Sequence, residues 1–260
     1  MVDREPRARQ ETTMTAPPLL RMRHISKSFG AVQALINVDF EVKHHEIVAL
    51  VGDNAAGKST LARVIAGVHQ PESGTIEING ELVTLPRTAI AQAHGIATVF
   101  QGLALAENLD VTANIFLGRE VREHGLLAEE HMETLARDYL ERLHARIPSP
   151  RTPVSHLSAG QRQCVAIART LVGDPQLIVL DEPTASLSVA QTAEVLTHIQ
   201  SLRGLGLGVV FISHNLTDVR AVADRIEVLR HGRFNGTFSA PHDAYEEVIA
   251  AITGATTVRN

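Results

Sequence analysis

Residues 52–59, Gly52-Asp53-Asn54-Ala55-Ala56-Gly57-Lys58-Ser59, hold two glycines five positions apart, then a lysine and a hydroxyl, with Thr60 next in line. This spacing lets backbone N–H groups close around phosphates, brings the lysine to the β and γ phosphates and offers a hydroxyl to Mg²⁺. A helix starting at the lysine aims its N-terminus at the same anion. The chemistry predicted is binding of a nucleoside triphosphate. Further on, Asp181 and Glu182 end the apolar run 177–180. A carboxylate pair after a buried apolar strand has little packing purpose. The first is positioned to hold Mg²⁺, usually through water, and the second can orient an attacking water.

Other groups stand in similar places. Gln101 follows the run 96–100, Ser213-His214 follows 208–212, and Leu157-Ser158-Ala159-Gly160-Gln161-Arg162-Gln163 precedes the carboxylates, while Phe29 lies upstream of the phosphate loop. Taken singly, each has an ordinary reading: a core aromatic, a surface glutamine, a satisfied histidine. A phosphate loop alone leaves kinases, GTPases and motor ATPases open. Their joint order is what narrows the choice.

Positioning these groups requires a mixed α/β core. Short strand-like runs between Leu20 and Val51, among them 34–42, which alternates over its latter half, predict antiparallel strands beside the phosphate loop. Residues 74–80 alternate between two glycines as a half-buried strand, and residues 96–100 read as a fully buried one. From about 108 to 171 the pattern turns helical, with Leu135, Tyr139, Leu143 and Ile147 four apart on one face, predicting a helical insert between sheet strands. Runs 177–180 and 208–212 read as central parallel strands separated by a helix over 189–202. A closing strand and turn over 225–236 and a short helix over 244–252 follow. Residues 1–18, polar with Pro6, Pro17 and Pro18, read as a disordered leader, with Met14 an alternative start. The expected organisation is therefore a leader over 1–18, one nucleotide-binding domain over 19–253 with a helical subdomain over about 108–171, and a tail over 254–260.

Composition narrows the classes. The 260 residues are 44% apolar, enough for an ordinary core, and the single cysteine, Cys164, excludes an internal disulfide. No run approaches the roughly 20 apolar residues of a spanning helix, so any membrane association is expected through a partner or a surface contact. A net charge of −5 gives no footprint for nucleic acid. The 13 histidines are scattered, without metal-ligand spacing.

The five groups and the phosphate loop together resemble the ATP-binding cassette family of ATPases, over almost the whole chain from about Leu20 to Val248. The resemblance implies a phosphate-loop NTPase core of the RecA type with an antiparallel β subdomain and an inserted helical subdomain. It implies that Phe29 stacks on adenine, that Lys58, Ser59 and Thr60 hold phosphates and Mg²⁺, and that Gln101 senses the γ-phosphate and metal. Asp181 is then the metal carboxylate, Glu182 the catalytic base and His214 the γ-phosphate clamp. Ser158 and Gly160, with Ala159 and Gln161 between and beside them, would face ATP bound to an opposing subunit. One chain then holds two half-sites, and function requires a dimer, in its simplest form a head-to-tail homodimer with two ATP molecules at the interface.

The stretches 67–74, 96–101 and 108–120 resemble bacterial monosaccharide importers of the ribose, xylose and fructose type. In those systems the ATPase sits on the cytoplasmic face of the inner membrane against a permease, and an extracytoplasmic binding protein delivers the sugar. Leu103, Leu105, Leu109 and Phe116 would supply much of the permease-facing groove. The expected function is hydrolysis of ATP that energises import of a monosaccharide. A soluble cassette ATPase acting as an assembly scaffold, and an ATPase subunit of a different importer or an exporter, are the rival readings. The chain departs from the usual pattern at Ala55 and Ala159, where glycines are usual, and at Gly102, where an acidic residue is common. If residue 55 has positive φ, alanine there costs about 1 kcal/mol.

Overall fold

The computed structural model describes residues 17–240, 243 and 245–255. Strands β1 (Leu20–Phe29) and β2 (Val32–Val42) form a hairpin, and β3 (Ile47–Val51) leads through the phosphate loop into α1 (Lys58–Ile65). A second hairpin, β4 (Ser73–Ile78) and β5 (Glu81–Val83), precedes α2 (Thr88–Ala93) and β6 (Ile96–Val99). Then come α3 (Val111–Phe116), the two-residue strands β7 (Arg122–Glu123) and β8 (Leu126–Leu127), α4 (Glu129–Arg142) and α5 (Ala159–Thr170). Strand β9 (Leu177–Asp181), α6 (Val189–Gly204), β10 (Gly208–Ile212) and α7 (Leu216–Val222) return to the sheet. The last elements are β11 (Arg225–Arg230), β12 (Arg233–Ser239) and α8 (Tyr245–Thr253).

The central sheet runs β12-β11-β3-β10-β9-β6, and every pairing but β11 with β12 is parallel. All five residues of β3, β9 and β10 are buried, as expected of parallel strands covered on both faces. Each fully buried Val, Leu or Ile there contributes about 1.5–3 kcal/mol. A second sheet, β2-β1-β4-β5, is antiparallel throughout. The alternation over residues 38–42 is borne out: Val38, Phe40 and Val42 are buried and Asp39 is exposed. One core lies between this sheet, α1 and the central sheet, around Ile25, Leu50, Leu61 and Ile212. The other covers the opposite face of the central sheet and extends into α3, α4 and α5.

The helical insert differs in register from the sequence reading. The buried stripe of α4 is Met132, Ala136 and Leu140, continuing to Leu143, whereas Leu135 and Tyr139 flank it half-buried. Ile147 lies beyond the helix, which stops where His144 adopts φ 56°. Two four-residue rows coexist here, and the larger side chains of one concealed that small Ala136 marks the closer contact. The leader over 1–18 falls largely outside the described residues, and its last residue, Pro18, is buried. Ala244 and most of the tail also lie outside them.

Candidate functional site

Four neighbouring strands of the central sheet end together. Leu50 of β3, Ile212 of β10 and Asp181 of β9 are in register, and Val99 of β6 pairs with Leu180. Ligands of open parallel sheets bind outside such carboxyl ends. Here the chain continues from those ends into the phosphate loop, Ser213-His214, Asp181-Glu182 and Gln101. The result is a cleft of about 470 Å³ whose wall includes Ala55, Lys58, Ser59, Gln101, Glu182 and His214. Another open cleft, of about 490 Å³, lies between Arg21, Glu41, Arg233 and Thr237 and contains none of the motif residues.

The loop's glycines are required by space. Gly52 has φ 148°, and a Cβ there would sit 2.0 Å from the Leu229 carbonyl oxygen; at Gly57, φ 107°, it would sit 2.4 Å from that of Ala34. Ala55 adopts φ 66°, the left-handed region, so the alanine is strained as the sequence departure implied. Ala159 has no such strain: it is the first residue of α5 and is not among the positive-φ residues. Gly102 has open space around it and no need for glycine.

Lys58 is buried, and its Nζ donates to the carbonyls of Gly52 (2.7 Å) and Asp53 (2.9 Å). Burial lowers its pKa, opposed by Glu182, Asp181 and Asp53. Ser59 Oγ donates to Asp181 Oδ1 at 3.4 Å. Burial raises the Asp181 carboxyl pKa, only partly countered by that hydroxyl, Arg63 and Lys58. Hard oxygen donors facing each other, one of them an under-solvated carboxylate, match the preferences of Mg²⁺.

Glu182 has φ 53°, and its N–H donates to the Ile212 carbonyl at 3.0 Å, which ties the carboxylate-bearing turn to β10. That turn directs its side chain to His214, whose Nδ1 donates to Glu182 Oε2 at 2.7 Å. Beneath it, buried Thr184 Oγ1 donates to Asp218 Oδ2 at 2.8 Å, joining the turn to α7. The sequence reading did not single out this pair, and nothing in its spacing signals it.

Phe29 and the residues 158–161 stand outside the cleft wall. Phe29, at the end of β1, is 45% exposed and packs edge-on against His69 with ring centroids 5.0 Å apart. Its hairpin partner Val32, followed by Gln33 and Ala34, forms the adjacent wall. Ser158 caps α5: its Oγ accepts from the Gln161 N–H at 3.2 Å, and Gln161 Oε1 accepts from the Ser158 N–H at 2.9 Å. Gln161 Nε2 also donates to the Arg146 carbonyl at 2.8 Å. The same reciprocal cap recurs with Ser188 and Gln191 at the start of α6, and a Cβ on Gly160 would approach Gln191 Cβ to 3.1 Å. An S-x-x-Q spacing signals both caps in the sequence. Ser158, at the N-terminus of α5, is thus exposed and stands apart from the cleft wall.

Fold and site define a phosphate-loop nucleotide-binding protein with an antiparallel sheet and a helical insert. The ABC transporter family description matches residues 35–185, and the chain belongs to that family. It is 44% identical to the xylose/arabinose import ATP-binding protein XylG of Sulfolobus acidocaldarius, over 83% of this chain and 86% of that one. It is 39% identical to a putative ribose/galactose/methyl galactoside import ATP-binding protein of Burkholderia lata, covering 94% of this chain but 48% of that one, so it spans about half that relative's length. Among solved structures, the ADP conformation of an ATP-binding cassette of an ABC transporter superposes with TM-score 0.79 at 26% identity, over 93% of this chain and 97% of that one.

Proposed function

We propose that this chain is the ATP-binding and ATP-hydrolysing subunit of an importer of monosaccharides, acting as a homodimer against membrane permease subunits. The observation that carries the dimer is the separation described above: Lys58, Gln101, Glu182 and His214 surround one cleft, while Ser158 and Gly160 stand outside it. A second copy, rotated head to tail, would bring its Ser158–Gly160 turn to the first copy's cleft and so complete two sites at once.

In this reading the N–H groups of residues 52–57 and Lys58 hold the phosphates of ATP, with Phe29 at the cleft rim available to adenine. Ser59, Gln101 and Asp181 would hold Mg²⁺, which when bound neutralises phosphate charge. Glu182 accepts a hydrogen bond from a water and turns it toward the γ-phosphate, and His214 keeps that carboxylate in place through the 2.7 Å contact. Lys58 must leave the Gly52 and Asp53 carbonyls to reach phosphate. Closing on ATP and opening after hydrolysis would drive the permease.

The sugar class rests on the relatives' names, and an extracytoplasmic sugar-binding protein is the implied delivery partner. No helix among the described residues is long and apolar enough to cross a membrane, which suits a peripheral subunit on the cytoplasmic face. The test is capture of the tagged chain from detergent-solubilised membranes in Mg-ATP, followed by ATPase assay in vesicles. Recovery of a polytopic permease that raises turnover when a sugar-loaded binding protein is added supports importer function. Turnover indifferent to any membrane fraction, with only soluble partners recovered, would favour an assembly scaffold.

A further inference from the structure

The loop that leaves Gln101 is not free to move alone. Asn114 in α3 is fully buried, and its side chain gathers that loop: Oδ1 accepts from the Ala106 N–H at 2.8 Å, and Nδ2 donates to the carbonyls of Ala106 (2.9 Å), Leu109 (3.3 Å) and Asp110 (2.9 Å). Arg169, in the last turn of α5, grips the same knot from the other side. Its Nε donates to the Asn114 carbonyl at 2.9 Å, Nη1 to the Ala104 carbonyl at 3.0 Å and Nη2 to Asn114 Oδ1 at 3.4 Å. Ala104 is a non-glycine residue at φ 48°, a conformation that persists only where its surroundings hold it. A second tether runs alongside, from Arg119 to the Val172 carbonyl.

Helix α5 is the shared element. Its far end is the Ser158 cap, and between the two ends Val165, Ile167 and Ala168 are buried along a helix about 18 Å long. The knot begins at Ala104, three residues after Gln101 in the cleft wall, and α5 carries it to the Ser158 cap at the helix's other end. We infer that Arg169 is a positioning residue that transmits the state of the Gln101 loop to the Ser158 end of α5. It touches no nucleotide. The inference rests on the ATPase reading above. All three contacts use the planar fork of the guanidinium, so lysine keeps the charge and loses the geometry.

The decisive variant is Arg169→Lys, with Asn114→Ser as a second that loosens the same knot from α3. Coupling residues of this kind change communication by about 2- to 30-fold. We expect Arg169→Lys to lower turnover at saturating Mg-ATP by about tenfold, with KM for ATP within about twofold of wild type. In a Gln101→Ala background the same change should cost less than about twofold, because the loop no longer has a state to transmit. Additive losses in that double-mutant cycle, or a loss confined to KM, would overturn the inference. Amide exchange on the intact chain reads the same path without turnover. Mg-ATP should protect residues 103–110 in both proteins but residues 157–163 only in wild type. Equal protection of residues 157–163 in wild type and Arg169→Lys would sink the transmission role while leaving the ATPase reading intact. A wild type that shows neither binding nor turnover would remove the ATPase reading itself, and the inference with it.

Discussion

Ala55 and Ala159 stand where the family resemblance leads one to expect glycine, and the backbone assigns them opposite consequences. At Ala55, φ 66° puts an L-residue in the left-handed region, which costs about 1–2 kcal/mol. Ala55→Gly removes that cost but gives the unfolded chain more freedom, returning about 0.4–1 kcal/mol. The net expectation is a gain of about 0.5–1 kcal/mol. Ala159 is helical, in the first turn of α5, so Ala159→Gly only adds unfolded-state freedom and weakens the helix by about 0.5 kcal/mol. Urea unfolding of the nucleotide-free protein measures both, with slope checked against wild type so that a shift in midpoint reports stability. The predicted result is midpoints moving in opposite directions, up for Ala55→Gly and down for Ala159→Gly. Shifts of the same sign would mean that the loop strain read from φ is not felt by the folded chain.

Other consequences can be checked with the same protein. Gly52→Ala drives a Cβ to within 2.0 Å of the Leu229 carbonyl, so it should cost about 3 kcal/mol or more and abolish ATP binding by calorimetry. Thr184→Val leaves the buried Asp218 carboxylate without its 2.8 Å donor and should destabilise by about 1–3 kcal/mol in denaturant. His198 is buried with its Nδ1 donating to the Leu143 carbonyl, and burial lowers its pKa below the ordinary 6.5. The unfolded chain therefore binds the extra proton first, and stability should fall as pH drops below 6.5; His198→Gln should flatten that acid slope in pH-resolved unfolding. Cys164 is buried, and its thiol is pushed up to about 12, so thiol reagents should leave the native chain unlabelled and react only on unfolding.

Much of the site was legible because it lies where the pattern is local. The phosphate loop, the carboxylate pair and the residues after runs 96–100 and 208–212 each follow an apolar strand, and parallel sheets put such positions at one edge. The convergence of Gln101, Glu182 and His214 thus follows from strand order, which the sequence implied only through resemblance. What stayed hidden is long-range and polar. Thr184 with Asp218, and Arg169 with Asn114, are 34 and 55 residues apart and carry no periodic signal. The helical insert follows the sequence pattern, and of its row Leu143 is buried while Leu135, Tyr139 and Ile147 pack partly buried against the same core. The deeper contacts of Met132, Ala136 and Leu140 stay hidden because helical spacing cannot choose between two apolar rows when one contains alanine. Phe29 was expected at adenine, and the sequence could not tell that its ring meets His69 at the rim.

The central claim is that two copies complete each other's sites around ATP. The most direct measurement is the molar mass of Glu182→Gln by light scattering, with Mg-ATP and with Mg-ADP. Glu182 lines the cleft beside Lys58 and His214, so glutamine removes the carboxylate proposed to orient water while leaving Lys58 and the loop in place. The account predicts a dimer in Mg-ATP and a monomer in Mg-ADP, with the dimer lost when Ser158→Arg is added. A Glu182→Gln protein that binds ATP and remains monomeric at saturation would contradict it.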